Sequence, residues 1–194
     1  MPRGRFIVLD GIDGVGKSTQ LRRLAAALRR RGCRVLVVKD PGGTPLGARL
    51  RAMLLGRKDR ISPQAEALLY TASRAQLVHK KIQPALKQGI TVLCDRYSTA
   101  TLAYQGALGM KTGLAEVCRF AESGTQPDLT LILDGPPYRS LNRKDRLEAR
   151  GRAYQRRVRA EFLAQACRDP RRIRIVSALG SPAQVTARLM DCLR

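Results

Sequence analysis

Nine consecutive residues have the types and spacing of a phosphate-binding loop. They read GIDGVGKST and fit the pattern G-x-x-x-x-G-K-S/T. Glycines let the backbone curl so that successive N–H groups point at phosphate oxygens, the lysine supplies an ammonium group, and the serine can place its hydroxyl on Mg²⁺. A plain glycine-rich turn is the alternative, but it has no need of Lys-Ser. We expect a nucleoside triphosphate to be bound by Gly11, Asp13, Gly14, Val15, Gly16, Lys17, Ser18 and Thr19.

The segments around this loop predict how it is held. A short apolar run, residues 5–10, reads as a strand, and residues 18–31 carry apolar side chains at helical spacing. Strand-like segments recur at 34–39, 90–94, 129–133 and 172–176, with helical segments between them. This alternation predicts an α/β fold, a five-stranded parallel sheet with helices on both faces, in three layers. We expect one domain over residues 1–194.

Ligands of such sheets lie at the carboxyl ends of the strands. Asp10, Lys39, Asp40, Asp95 and Asp134 all fall at predicted strand ends. Asp95 is followed directly by Arg96. A carboxylate there can serve Mg²⁺, and an adjacent arginine can steady a phosphoryl group during transfer. We therefore expect Ser18 and Asp95 at the metal, and Lys17 and Arg96 as catalytic residues.

The charge of the chain points to an anionic partner. It carries 37 lysines and arginines against 15 acidic residues, a net charge of +22 over 194 residues. Solvated arginine-rich helix faces are the alternative reading. Aromatic residues make up only 4% of the chain, which argues against a dedicated nucleic-acid motif. Non-specific binding to nucleic acid at low salt is expected in either case.

The cysteines and the hydropathy of the chain indicate the cellular compartment of the protein. Five widely spaced cysteines, no C-x-x-C pair and one histidine favour buried free thiols over a disulfide framework or a metal site. No apolar run approaches the length of a membrane span, and the first apolar stretch is too short for a signal peptide. We expect a cytoplasmic protein without a membrane partner.

Five motifs in order along the chain resemble those of thymidylate kinases, P-loop enzymes that phosphorylate dTMP to dTDP with ATP and Mg²⁺. The resemblance covers residues 6 to about 162. Its motifs are the phosphate loop, KDPGGT at 39–44, LLY with Arg74, DRY with AYQG at 95–106, and PDLT with DRLE at 127–148. It implies the P-loop kinase fold with a small lid at about 135–150.

The resemblance implies residue roles around a dTMP molecule. Asp13 would accept the 3′-hydroxyl. Lys39 stands where the family usually has an arginine that grips the monophosphate. Tyr70 would stack on thymine, and Arg74 would meet a base carbonyl. The peptide bond between Asp40 and Pro41 would be cis. From the sequence alone, two alternatives stay open: Tyr70 as a core aromatic and Arg74 as a solvated helix residue.

The same resemblance assigns further roles on the next helix and in the lid. Tyr104 would fill the space of a ribose 2′-hydroxyl, although a core role stays open, and Thr101 and Gln105 would contact base or sugar. Arg96 would bridge towards the phosphates. Because Gly14 leaves the loop without an arginine, the lid would supply the catalytic charge. Its candidates are Arg139, Arg143, Lys144, Arg146 and Arg150, with Arg143 and Arg146 favoured.

The expected function is therefore ATP-dependent phosphorylation of dTMP. A kinase with another nucleotide or nucleoside acceptor, and a non-catalytic binding protein, are the alternatives. The resemblance also implies a homodimer, for which the apolar faces of 62–77 and 102–120 are candidates.

Overall fold

The computed structural model describes residues 3–56, 60–110, 112–136 and 150–194. Within these ranges, five parallel strands form one sheet in the order β2-β3-β1-β4-β5. The strands are β1 (Phe6–Gly11), β2 (Val35–Lys39), β3 (Thr91–Asp95), β4 (Leu129–Asp134) and β5 (Ile173–Ser177). The α/β fold with a five-stranded parallel sheet is therefore confirmed.

Helices cover both faces of this sheet. They are α1 (Lys17–Arg30), α2 (Pro45–Leu55), α3 (Pro63–Leu77), α4 (Gln83–Lys87), α5 (Ser98–Gly106), α6 (Leu114–Glu122), α7 (Gly151–Arg168) and α8 (Pro182–Asp191). Within the described ranges, each helix is too short or too polar to cross a bilayer.

The strands divide the core into two apolar clusters because side chains alternate between the faces of a strand. Ile7 and Leu9 of β1 pack with residues of α1, α7 and α8. Phe6 and Val8 pack on the other side with the end of α3 and with α4. The protein therefore has three layers. Because its strands are covered on both faces, they appear in the sequence as continuous apolar runs.

The sequence predicts a long helix that begins at Ser62 and that Pro84 kinks or breaks in two, and in the structure this helix is divided. α3 begins after Ser62, whose side-chain oxygen accepts from the backbone N–H of Ala65 at 3.2 Å. It ends at Leu77, and one wider π-helical turn, Val78–Ile82, leads into α4. A proline has no N–H and its ring crowds the carbonyl four residues earlier, here that of Lys80, so the helix widens upstream of Pro84.

β1 lies at the centre of the sheet, between β3 and β4. Leu9 pairs with Asp95 of β3, and Gly11 pairs with Leu133 of β4. The carboxyl ends of these strands therefore meet at one edge, where the sheet positions Asp10, Asp95 and the loop that follows Gly11.

Candidate functional site

Two adjoining clefts open at the carboxyl edge of the sheet. The P-loop cleft, of about 1440 Å³ with its open solvent, is lined by residues 13–20 and by Lys39, Asp95 and the loop before α8. The Tyr70 cleft, of about 550 Å³, lies between α2, α3 and α5. Asp13, Arg51 and Arg96 line both clefts. A group bound in one cleft can therefore face a group bound in the other across these three side chains.

The loop of the P-loop cleft has the backbone expected of a phosphate cradle. Gly14 and Gly16 have φ of 76° and 102°, a region that favours glycine. Gly11 lies beneath the loop, and a side chain there would collide with the carbonyl of Leu133. Its carbonyl accepts from Lys17 Nζ at 3.1 Å, and that of Ile12 accepts at 2.7 Å. The lysine is thus held against the loop, ready to transfer its hydrogen bonds to phosphate.

Burial and neighbouring charges shift the pKa values of three groups at this loop. Burial and neighbouring Arg96 together lower the pKa of Lys17 to about 8 against the pull of the carboxylates. Burial alone would raise the pKa of Asp13, but Arg96 and Lys17 outweigh it and hold the pKa at about 2. Asp10 is fully buried, and its pKa is raised by that burial despite Arg96.

Arg96 joins the loop to both clefts. Its guanidinium donates to Asp13 Oδ1 at 2.6 Å, to Asp10 Oδ1 at 3.2 Å and to the carbonyl of Gly11 at 2.9 Å. It also lies 4.8 Å from the ring centroid of Tyr104, whose hydroxyl accepts from it at 3.0 Å. Arg96 has φ of 71°, a conformation that costs on the order of 1 kcal/mol for a side chain other than glycine. The fold tolerates that strain to aim the guanidinium.

Asp95 ends β3 at the floor of the P-loop cleft. Its Oδ1 is buried and has no hydrogen-bond partner among the described residues, while Oδ2 lies 3.9 Å from Lys39 Nζ. Ser18 lines the same cleft. Hard oxygen donors with an unsatisfied buried carboxylate oxygen are the ligands that Mg²⁺ prefers beside nucleotide phosphates, so these residues fit that ion.

Lys39 lies in the P-loop cleft and does not line the Tyr70 cleft. Its side chain is 48% exposed, and burial of its remainder together with Arg51 lowers its pKa. The Asp40–Pro41 bond that follows is cis, as the resemblance implies.

Arg74 is almost completely buried, which contradicts the reading of a solvated helix residue. Its Nε donates to Asp40 Oδ2 at 2.7 Å, and its Nη2 donates to Thr101 Oγ1 at 2.7 Å. Nη1 contacts Ser98 Oγ at 3.1 Å and Cys118 Sγ at 3.7 Å. A guanidinium has five N–H groups, so one N–H on Nη2 has no partner among the described residues. Arg74 lines the Tyr70 cleft.

Gln105 is the second polar group in this cleft. Its Nε2 donates to Glu66 Oε1 at 2.7 Å, and since a carboxylate only accepts, this contact fixes which end of the amide is nitrogen. Its Oε1 is buried with no hydrogen-bond partner in the described part of the chain. Tyr70, half-buried, lines the same cleft. The cleft therefore offers a donor, an acceptor and an aromatic ring.

Tyr104 combines the two roles that the sequence left open. Its ring packs edge-on against Tyr154 and Phe162 in the core, and its hydroxyl donates to Asp13 Oδ2 at 2.8 Å. Burial raises the pKa of its hydroxyl, so the group stays a donor at neutral pH. Tyr104 lines the Tyr70 cleft.

Sequence reasoning missed Arg51, Glu66 and Gln155, and it named Arg150 for the lid without its partner. Arg51 lines both clefts and donates to the carbonyl of Pro41 at 3.2 Å; a single arginine within the apolar run LRAMLL was the available signal. Glu66 and Arg150 pair at 2.8 Å, and Gln155 Nε2 reaches Asp13 at 3.4 Å. These pairings join residues far apart in sequence, so no local pattern reveals them. Among the proposed lid residues, Arg139, Arg143, Lys144 and Arg146 lie outside the described ranges.

Comparisons with known proteins agree with this geometry. The family model described as thymidylate kinase matches residues 9–189. A thymidylate kinase from Deinococcus radiodurans is 46% identical over 186 residues, covering 92% of this chain and 90% of that protein. One from Thermomicrobium roseum is 47% identical over 189 residues, covering 93% and 90%. The solved thymidylate kinase of Ehrlichia chaffeensis superposes with a TM-score of 0.83 at 29% identity, covering 99% of each chain.

Proposed function

The chain belongs to the thymidylate kinase family, and on that premise we propose that it transfers the γ-phosphoryl group of ATP to dTMP, forming dTDP and ADP. A phosphate oxygen of dTMP attacks the γ-phosphorus while the bond to the β,γ-bridging oxygen breaks, and ADP leaves with that oxygen. The observation that carries this assignment is the pair of clefts, one with a phosphate loop and one with an aromatic ring, that meet at Asp13, Arg51 and Arg96.

The polar groups of the Tyr70 cleft match the edge of thymine. Thymine presents an N–H between two carbonyl groups. The unpaired Oε1 of Gln105 can accept from that N–H, and the remaining N–H of Arg74 can donate to a neighbouring carbonyl. Cytosine presents an amino group and a bare ring nitrogen there, which would leave both protein groups unsatisfied and cost about 1–3 kcal/mol each. Tyr70 supplies a stacking surface.

Sugar and phosphate recognition follow from the network around Asp13. We assign the 3′-hydroxyl to Asp13 and exclusion of a 2′-hydroxyl to Tyr104, with Thr101 lining the base. Arg96, Arg51 and Lys39 neutralise the acceptor phosphate as it approaches ATP, because Arg51 and Arg96 line both clefts. Phosphoryl transfer needs in-line positioning and charge neutralisation more than covalent chemistry.

Lys17 and the loop amides hold the β- and γ-phosphates of ATP, where charge spreads in the transition state. Asp95 and Ser18 would hold Mg²⁺, which neutralises charge on the phosphate oxygens when it is bound. Arg143 and Arg146 of the lid at about 135–150 complete the charge that Gly14 does not supply.

The quaternary and cellular setting is part of the same proposal. Large apolar side chains are exposed on three helices that pack side by side, with Leu46 and Met53 on α2, Leu68 on α3 and Phe120, 86% exposed, on α6. We assign them to a homodimer interface. α2 contributes to this interface, although the sequence suggested only the apolar faces of 62–77 and 102–120. The protein acts as a single kinase domain in the cytoplasm, and its net charge gives it weak affinity for nucleic acid.

A panel of acceptors tests the function. ADP release is measured with ATP, Mg²⁺ and dTMP, dUMP, dCMP, dGMP or UMP. We expect the highest kcat/KM with dTMP and rejection of dCMP by at least about 100-fold, since two buried polar groups would lose their partners. Transfer to dCMP at a comparable rate would overturn the base assignment. Absence of ADP release with every acceptor would overturn the kinase assignment.

A further inference from the structure

The surface opposite the two clefts is formed by the amino ends of the parallel strands. Contacts between neighbouring segments run along this edge. Arg34 Nη1 lies 3.4 Å from the carbonyl of Gln88, and the N–H of Gly4 donates to Leu86 at 2.9 Å. Arg172 Nη1 lies 2.6 Å from Gln126 Oε1, beside the start of β4. The segments that precede β2, β3, β1, β4 and β5 therefore form one continuous surface.

This amino-edge surface, which we define by Arg5, Arg31, Arg34, Lys87, Arg168 and Arg171, is strongly cationic. All six side chains are exposed, and none forms an ion pair with a described residue. Three further arginines at this edge already hold carboxylates, Arg3 with Asp128, Arg172 with Asp169 and Arg194 with Asp191. The six defining charges are therefore an excess that the protein does not neutralise locally.

Helix stabilisation accounts for only half of these six cations. A cation near a helix carboxyl terminus stabilises the helix dipole by about 0.3–1 kcal/mol, which fits Arg31 after α1, Lys87 at the end of α4 and Arg168 at the end of α7. Arg5, Arg34 and Arg171 lie outside helices, directly before strands or in the turn that precedes one. Their common feature is the edge that they occupy.

The chemistry of the surface selects a phosphodiester backbone as its partner. Strands lie about 4.8 Å apart, so five of them span about 19 Å, the length of about six nucleotides along one strand of a duplex. Guanidinium groups suit phosphate oxygens. The large apolar side chains exposed on the described residues lie on α2, α3 and α6, within strands or near α8, and not at the amino ends. Stable attachment to a membrane takes an apolar signal besides the charge, and these exposed side chains do not place one at the amino ends.

We propose that the amino-edge surface binds the phosphate backbone of nucleic acid without sequence preference, while the two clefts at the opposite edge stay open. The clefts and this surface occupy opposite ends of the same parallel strands. Polymer binding and nucleotide turnover therefore do not compete for the same groups. Among the described residues, the exposed aromatic side chain is Phe120 of α6, which is assigned above to the homodimer interface, so recognition rests on charge.

Two variants of equal charge test the assignment. The first carries Arg31→Gln, Lys87→Gln and Arg171→Gln, which remove three amino-edge cations whose side chains form no hydrogen bond or ion pair with described residues. The matched control carries Arg60→Gln, Arg152→Gln and Arg156→Gln, three exposed cations away from this edge. Binding to labelled single-stranded and duplex DNA and to RNA is measured by fluorescence anisotropy from about 50 to about 200 mM salt.

For the wild type on duplex DNA, we expect a plot of log affinity against log salt concentration to have a slope of about −4. For the amino-edge variant, the slope should be smaller in magnitude by about 2–3. The control should stay within about twofold of wild type at about 100 mM salt. Equal losses in both variants would mean diffuse charge and overturn the surface. Tighter binding to anionic lipid vesicles than to nucleic acid, or inhibition by DNA competitive with ATP, would overturn it as well. The control should melt as wild type does, and the amino-edge variant should melt only a few degrees lower, because the cations lost at the ends of α1 and α4 contribute about 0.3–1 kcal/mol each.

Discussion

The hydroxyl of Tyr104 lies 2.8 Å from Oδ2 of Asp13, so a side chain of α5 holds the phosphate-binding loop directly. Arg96 closes the triangle, with Nη2 at 3.0 Å from the hydroxyl and at 2.6 Å from Oδ1 of Asp13. The three groups connect the cleft for the acceptor with the loop for ATP. A substitution of any one of these three residues should therefore alter both clefts.

Tyr104→Phe and Tyr104→Ala separate the two roles of this side chain. The phenylalanine keeps the ring but loses hydrogen bonds to two charged groups, so kcat/KM for dTMP should fall about 10-fold or more. Its preference for dUMP over UMP, which differ only by the 2′-hydroxyl, should persist. The alanine should lose that preference. The measurement is the ratio of kcat/KM for dUMP and UMP; an unchanged ratio in Tyr104→Ala would show that the ring does not exclude the ribose.

The free enzyme should lose affinity for ATP as pH rises through about 8. Burial lowers the pKa of Lys17 to about 8, so above that pH the side chain becomes neutral and attracts phosphate less. For stability the sign is opposite: the lowered pKa makes protonated Lys17 unfavourable in the folded state, and this penalty fades as pH rises through about 8.

Calorimetric titration with ATP at about pH 7 and about pH 9 measures the effect, because the free-enzyme pKa governs binding. Lys17→Arg stays charged at both values and should show little change. Lys39→Arg replaces the other lysine of the P-loop cleft, and this variant should lose affinity for ATP between about pH 7 and about pH 9 as the wild type does. If the loss disappears in Lys39→Arg instead, Lys39 is its source.

Arg150→Ala should destabilise the protein by about 3 kcal/mol. Glu66 is fully buried, and the substitution deprives its carboxylate of the guanidinium at 2.8 Å. Adding Glu66→Gln should recover part of that loss, since the buried charge is then gone. Urea unfolding of both variants measures this, with exposed Arg152→Ala as the control on the same helix. If the changes in unfolding free energy from the two substitutions simply add, Glu66 and Arg150 are not energetically coupled.

The lid prediction concerns turnover. Arg143→Ala with Arg146→Ala should lower kcat about 100-fold and change KM for dTMP by less than about threefold, because a charge that arrives on closure acts only in the transition state. Steady-state kinetics against Arg152→Ala with Arg156→Ala, which removes equal charge, gives the comparison. A kcat equal to that of the control would assign the lid arginines to solvated charge.

The sequence predicted the local parts of this molecule and missed its long-range pairings. The phosphate loop, the parallel strands and the break near Pro84 follow from neighbouring residues. Lys39 lines the P-loop cleft and not the Tyr70 cleft, and its contact with the acceptor phosphate stays a prediction. Arg74 could be read as solvated because its partners Asp40 and Thr101 are 34 and 27 residues away. Arg51 lies in an apolar helix, α2, in which no recognisable motif marks it as a site residue.

β2 lies at one edge of the sheet and pairs there with β3 alone. Asp40 N–H bonds to Asp95, and Arg34 accepts from Thr91, so even-numbered residues face β3. Val35, Val37 and Lys39 then turn their backbone groups outward, and Val37 is exposed. Such an edge invites another strand, and a lysine on it is a barrier to aggregation. Lys39 thus opposes the pairing of this edge with another strand while it lines the P-loop cleft, and an apolar replacement would remove both the barrier at the edge and a positive charge from the cleft.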